Sequence, residues 1–269
     1  MRATAAGLGA RAALTAEGSG IVVAWFRRAC YVDLAGMPVT LVAPDVHLGP
    51  THLVLDGPLP RATQGAAVSI SAGSLSVGSA EIDAGSAVTW RGELPSPPAI
   101  RSCGGTIARA ARAAAGRSAL LEKPFGARAL RARDHVRSGR LAEAGAELAG
   151  LGPGLTPSGD DALAGVLFAL RAALGKSTER ATCRVAASAA VGPVSRGYLA
   201  WAARGQALAP AHDLLVRAAV GDRAGAERSA VAMARVGETS GADFLLGMVW
   251  GLEPAYDLPR SDLETSSRR

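Results

Sequence analysis

Lysine is almost missing from this chain. Of its 29 basic residues only Lys123 and Lys176 are lysines, which leaves 27 arginines. The arginines are scattered, and the densest run (Arg128, Arg131, Arg133, Arg137 and Arg140) has the spacing of one solvated helix face with Asp134 among them. Aromatic residues make up only 4%, so no stacking surface accompanies the basic charge. The net charge of +6 thus fits a small anionic ligand, and a nucleic-acid partner is not expected. Cysteine is equally sparse. Cys30, Cys103 and Cys183 are far apart and form no CxxC pair, which excludes a disulfide framework and a zinc site and leaves reduced, cytoplasmic thiols as the expectation. The histidines His47, His52, His135 and His212 show no metal-ligand spacing. Long apolar runs are also lacking. Ala162 to Leu170 and Phe244 to Leu252 are the longest uncharged ones, too short to span a bilayer, so no membrane partner is expected. Arg11 interrupts the apolar N-terminus, and Gly7 and Gly9 weaken it as a helix, which argues against a secretion signal.

What the chain does have is apolar bulk. Hydrophobic residues are 49% of its 269, enough for one large domain or two modest ones packed mainly by Ala, Leu and Val. Residues 1–18 read as a flexible or weakly helical leader. From 19 to 92, short β-prone runs alternate with turn residues: Ile21–Phe26, Val39–Val42, His52–Leu55, Ala67–Ile70, Ser74–Val77 and Ala87–Trp90. They predict a small antiparallel sheet or a barrel-like region. The proline-rich stretch Gly92 to Pro98 breaks the pattern, neither continuing a strand nor easily starting a helix. From 99 to 253 the chain turns Ala-rich and helical, with nine helices expected between Ile107 and Leu252, and 254–269 reads as a frayed tail. The expected class is α+β.

In the helical region the same turn occurs twice. Ser158-Gly159-Asp160-Asp161 opens one apolar run and Ser240-Gly241-Ala242-Asp243 opens another, and the next nine residues of each agree in apolar type. Gly165 and Gly247 recur on the same helical face as Asp161 and Asp243, where a small residue permits close packing against a neighbour. Ser158 and Ser240 suit helix caps, the glycines suit close backbone approach, and free first-turn amides favour an anion. Two well-capped helices sharing a packing solution would give the same pattern. For Ser240 alone that reading is preferred. The loop Gly150 to Pro157, rich in glycine and proline, specifies more than a connector and reads as a ligand loop. Lys176 follows Gly175 without the earlier glycine of a phosphate-binding P-loop.

The string GLGPGLTPSGDD at Gly150 to Asp161 resembles the signature of a bacterial family of unknown-function domains, one branch of which is a subunit of the oxamate carbamoyltransferase of anaerobic allantoin breakdown. Ser195 to Gly205 and Gly237 to Asp243 resemble further motifs of that family, with Glu238 where a His commonly stands. The resemblance implies transfer of a carbamoyl group between phosphate and a small carboxylate, alongside partner subunits. It implies that Gly152, Gly154, Leu155 and Thr156, with Ser158 and Gly159, hold a phosphate or carboxylate. Asp160 and Asp161 would orient the carbamoyl amide or a metal, with Asp243 as the second-copy counterpart. Ser195, Thr239, Ser240 and Gly241 would line the substrate site, and Arg196 would stabilise developing negative charge. No cofactor is expected. Mg²⁺ lacks a ligand set, since adjacent aspartates at a helix start point in different directions. The leading expectation is a carbamoyltransferase-like enzyme, or a subunit active only with its partners. The alternatives are a non-catalytic small-molecule-binding or scaffolding subunit, and a repurposed biosynthetic enzyme of the same fold.

Overall fold

A computed structural model describes residues 1–16, 18–71 and 73–257. The chain divides into two compact units, Met1–Gly92 and a second that begins at Glu93. The first is built on strands and the second on helices, an α+β protein.

The first unit holds nine strands: β1 (Ala3–Gly7), β2 (Gly18–Trp25), β3 (Ala29–Leu34), β4 (Met37–Val42), β5 (His52–Leu55), β6 (Ala67–Ser71), β7 (Ser74–Val77), β8 (Ala80–Asp83) and β9 (Val88–Trp90). They form one sheet in the order β8-β7-β6-β2-β3-β4-β5-β1-β9. Its core side is lined by alternate residues such as Cys30, Val32 and Leu34 of β3 and Leu75 and Val77 of β7, as the two-residue period of a strand requires. The sheet curls until its ends meet. Arg2, at the start of β1, bridges to Asp83 of β8, and the Asp83 amide donates to the Met1 carbonyl.

Two expectations need correction here. The sheet is mixed, because β4 pairs with β5 and β1 with β9 in parallel. The expected flexible or weakly helical leader is part of the sheet: it supplies β1, which sits between β5 and β9, and is helical only over α1 (Leu8–Leu14). The ATAAG stretch of β1 has little β propensity of its own. Pairing with strands distant in sequence imposes the conformation.

The second unit contains α2 (Pro97–Ala114), α3 (Gly126–Arg137), α4 (Leu141–Leu148), α5 (Ser158–Leu174), α6 (Glu179–Ser188), α7 (Pro193–Ala202), α8 (Ala209–Ala219), α9 (Arg223–Ala234) and α10 (Ser240–Asp257). A short 3-10 turn, Ala115–Arg117, follows α2. Of the expected break at Gly92 to Pro98, the last two residues, Pro97 and Pro98, already start α2. Proline is tolerated in a first helical turn, where no amide donor is needed, and the Ser96 hydroxyl accepts from the Ala99 amide as the cap. The helix expected to end near Leu252 continues as α10 to Asp257. The rest of the expected tail, 258–269, lies outside the described residues.

Every residue of α5 except Asp161 and Leu174 is buried, so α5 is the axis of this unit. Its main partner is α10. The arginine run of α3 pairs with acids of neighbouring helices. Arg128 and Arg131 pair with Glu147 of α4, and Arg133 and Arg137, with Arg112 of α2, pair with Glu253 of α10. Among the described residues no helix is long and apolar enough to cross a membrane.

Candidate functional site

The repeated turn produces a repeated contact. A side chain at Gly165 would lie 2.0 Å from the Phe244 carbonyl oxygen, and one at Gly247 would lie 1.9 Å from the Ala162 carbonyl oxygen. In the aligned motif Gly165 matches Gly247 and Ala162 matches Phe244. The contact is therefore reciprocal, the arrangement a local two-fold gives. Further along, Val166 opposes Gly251, so register advances in the same sense on both helices and they run parallel. Their N-terminal ends come together, and the Thr156 and Ser240 hydroxyls are hydrogen-bonded across the junction at 3.1 Å.

Parallel helices place two positive macrodipole ends side by side. Asp160, Asp161 and Asp243, all in the first turns, offset that charge. Asp243 is fully buried and Asp160 is 2% exposed. The Asp160 Oδ1 accepts from the Gly150 amide at 2.7 Å, pinning the start of the glycine-rich loop to the helix it precedes. Asp243 Oδ1 accepts from the Ser118 hydroxyl at 2.5 Å. The second oxygens of Asp160, Asp161 and Asp243, and the Ser195 hydroxyl, are buried without a hydrogen-bond partner. Buried acceptors left open in this number call for donors from outside the chain.

Burial pushes the Asp161 carboxyl well above the ordinary aspartate range, and the charges of Asp243 and Asp160 push it further. The Ser240 and Thr156 hydroxyls oppose the shift. Asp160 is raised as well, chiefly by burial, with the Ser195 hydroxyl and the Gly150 amide opposing. The Ser195 hydroxyl is thus a neighbour of Asp160, although it makes no hydrogen bond of its own. Around the acids, Gly152, Leu155, Thr156, Thr239 and Ser240 are half-buried and Gly154 is exposed, leaving the outer rim open to solvent.

The structure thus gathers Asp160, Asp161, Asp243, Ser195, Thr156 and Ser240. Several other expected residues have different local duties. Ser158 does not cap its helix; Pro157 occupies the cap position with no side-chain bond. The backbone that Gly159 approaches closely is the Leu148 carbonyl, and Gly241 approaches Met233 in the same way. Their amides are occupied by the Leu151 and Val236 carbonyls, and those of Asp161 and Asp243 by Pro157 and Thr239. Gly152 and Gly154 take positive φ, 112° and 102°, a conformation the turning loop needs and glycine supplies without strain. Arg196 is exposed and donates to the Val191 carbonyl. Among the described residues no group of three or more His, Cys, Asp or Glu is placed to hold a metal ion. Ser118 was not identifiable from the sequence, because it lies in no motif and reaches Asp243 only through the fold.

The Asp160 bond has a measurable consequence. Asp160→Ala leaves the Gly150 amide without its acceptor and is expected to cost roughly 1–2 kcal/mol. Hydrogen exchange at the 150–157 loop should accelerate, while Asp160→Asn, which keeps an acceptor oxygen, should preserve protection. Unchanged exchange in the alanine variant would show that the loop is held by other means.

No curated protein and no solved structure matches the chain. Residues 148–252, which run from the end of α4 into α10 and contain both Ser-Gly-x-Asp turns, match the family model described as oxamate carbamoyltransferase subunit AllH.

Proposed function

We propose that this chain serves in carbamoyl transfer, or a related acyl transfer, between phosphate and a small carboxylate, as a subunit like that of an oxamate carbamoyltransferase. The observation that carries the reading is that the segment matching that family is the one that builds the converging ends of α5 and α10. The glycine-rich loop, with Gly152 and Gly154 at positive φ, suits close backbone approach to a phosphate or carboxylate. The open carboxylate oxygens suit the N–H groups of a carbamoyl or amide nitrogen.

In this reading the amide nitrogen of oxamate bonds to the carbamoyl carbon of carbamoyl phosphate. The carbon–oxygen bond to phosphate breaks, phosphate leaves, and the proton lost by nitrogen passes to a carboxylate of the cluster. Asp243 is suited to receive it, Asp161 to donate to the carbonyl oxygen, and Asp160 to hold the loop in place. The word subunit in the family description favours partner chains that complete the site.

Thermal unfolding of the full chain with carbamoyl phosphate, phosphate, oxamate and other small carboxylates tests this. A true ligand at about 100 times its Kd should raise Tm by roughly 5–10 °C. The rise should vanish in Asp161→Ala, whose fold should survive. Release of phosphate from carbamoyl phosphate should require oxamate, with partner subunits supplied if needed. Stabilisation by a ligand without turnover, even with partners present, would make the chain a non-catalytic binding subunit.

A further inference from the structure

We infer that Ser118 is a positioning residue of this site, and that Asp243 and Asp161 work as an acceptor–donor pair that reads a primary carboxamide. Oxamate and carbamoyl phosphate both carry this H₂N–C=O group, so the choice of probe rests on the function proposed above. Ser118 itself stands outside the segment 148–252 that matches the family model.

The Ser118 hydroxyl has a single hydrogen to donate. Its oxygen accepts from the Leu120 amide at 3.3 Å, and the hydroxyl donates to Asp243 Oδ1 at 2.5 Å. That bond engages Asp243 Oδ1 and holds the carboxyl in one orientation, leaving its buried, unpartnered Oδ2 as a defined acceptor. Asp161 arrives from the neighbouring helix end with its own Oδ2 buried and unpartnered. Two buried carboxyls that interact electrostatically do not readily both ionise. Asp243 already accepts a hydrogen from Ser118, so we assign the proton of the pair to Asp161. Burial and the Asp243 charge act on Asp161 in that same direction.

The result is one acceptor beside one O–H donor. A carboxamide supplies the matching sequence: its N–H donates to Asp243 Oδ2 and its carbonyl oxygen accepts from Asp161. A carboxylate at the same place has no N–H to give and sets its charge against that of Asp243.

Oxamate and oxalate differ by the replacement of NH₂ with O⁻, so their relative affinity for the full chain, measured by titration calorimetry, is the test. Oxamate should bind at least about tenfold more tightly. Ser118→Ala should lose most of that preference, and Ser118→Thr, which retains the hydroxyl, should keep it. The wild-type ratio remains decisive if the alanine variant does not fold. Oxalate binding as tightly as oxamate overturns the inference, as does failure of both to bind or an unchanged ratio in a folded Ser118→Ala. Turnover of carbamoyl phosphate is scored separately. Turnover without amide preference would keep the proposed function and remove this inference, and amide preference without turnover in the presence of partner subunits would do the reverse.

Discussion

Gly247→Ala will destabilise the helical unit by about 3 kcal/mol or more, and Gly165→Ala will have a similar effect. In an isolated helix the same exchange stabilises, by roughly 0.5–1 kcal/mol, because alanine loses less backbone entropy. Sterics reverse the sign here. The added methyl at Gly247 would sit 1.9 Å from a carbonyl oxygen and 2.7 Å from its carbon, both in the backbone of a fully packed helix. No side chain can swing aside, so α5 and α10 must separate along their whole seam. Gly105, exposed in α2 with nothing within 4 Å of its missing side chain, is the control: Gly105→Ala should stabilise by roughly 0.5–1 kcal/mol. Urea unfolding followed by far-UV circular dichroism compares them. Since one separation of the helices relieves both clashes, Gly165→Ala combined with Gly247→Ala should cost less than the two singly. A Gly247→Ala midpoint equal to wild type would refute the close-packed seam.

The seam was legible in the sequence, because a motif that repeats its glycine on the face of its aspartate announces a shared packing surface before any partner is known. The pairing of α5 with α10, and hence the meeting of Asp161 with Asp243, follows from that symmetry. Other features were hidden for physical reasons. Ser118 carries no pattern, since a single hydroxyl donor 125 residues from its acceptor leaves no local trace. Gly159 and Gly241 looked like ligand-approach positions, yet a residue that lets backbone approach backbone is the same residue that lets backbone approach a ligand. Only the folded arrangement separates the two cases. The parallel pairing of β1 with β9 likewise depends on residues more than 80 positions apart, where neither propensity nor alternation speaks.

Asp161→Asn is expected to give a more stable protein that no longer turns over. The sign follows from proton linkage. Because the Asp161 carboxyl is raised in the folded chain, folding favours its protonated form. Its contribution is most favourable below the unfolded aspartate value, about 3.9, and stability declines as pH climbs from there through the folded value. Asparagine is neutral at every pH and nearly the same shape, so it escapes that decline. The stability of the variant relative to wild type should be small near pH 3, grow with pH, and reach roughly 1–3 kcal/mol at pH 7. Oxamate binding should largely persist, because the amide N–H replaces the carboxyl O–H as donor. Turnover should fall on the order of 100-fold or more, because an amide cannot exchange the proton. The two readouts must therefore separate: urea midpoints measured from pH 3 to pH 8 rise relative to wild type while turnover collapses. A variant that is destabilised at neutral pH would mean that Asp161 is held as a charged, structurally paired group, and the donor role would pass to another member of the cluster.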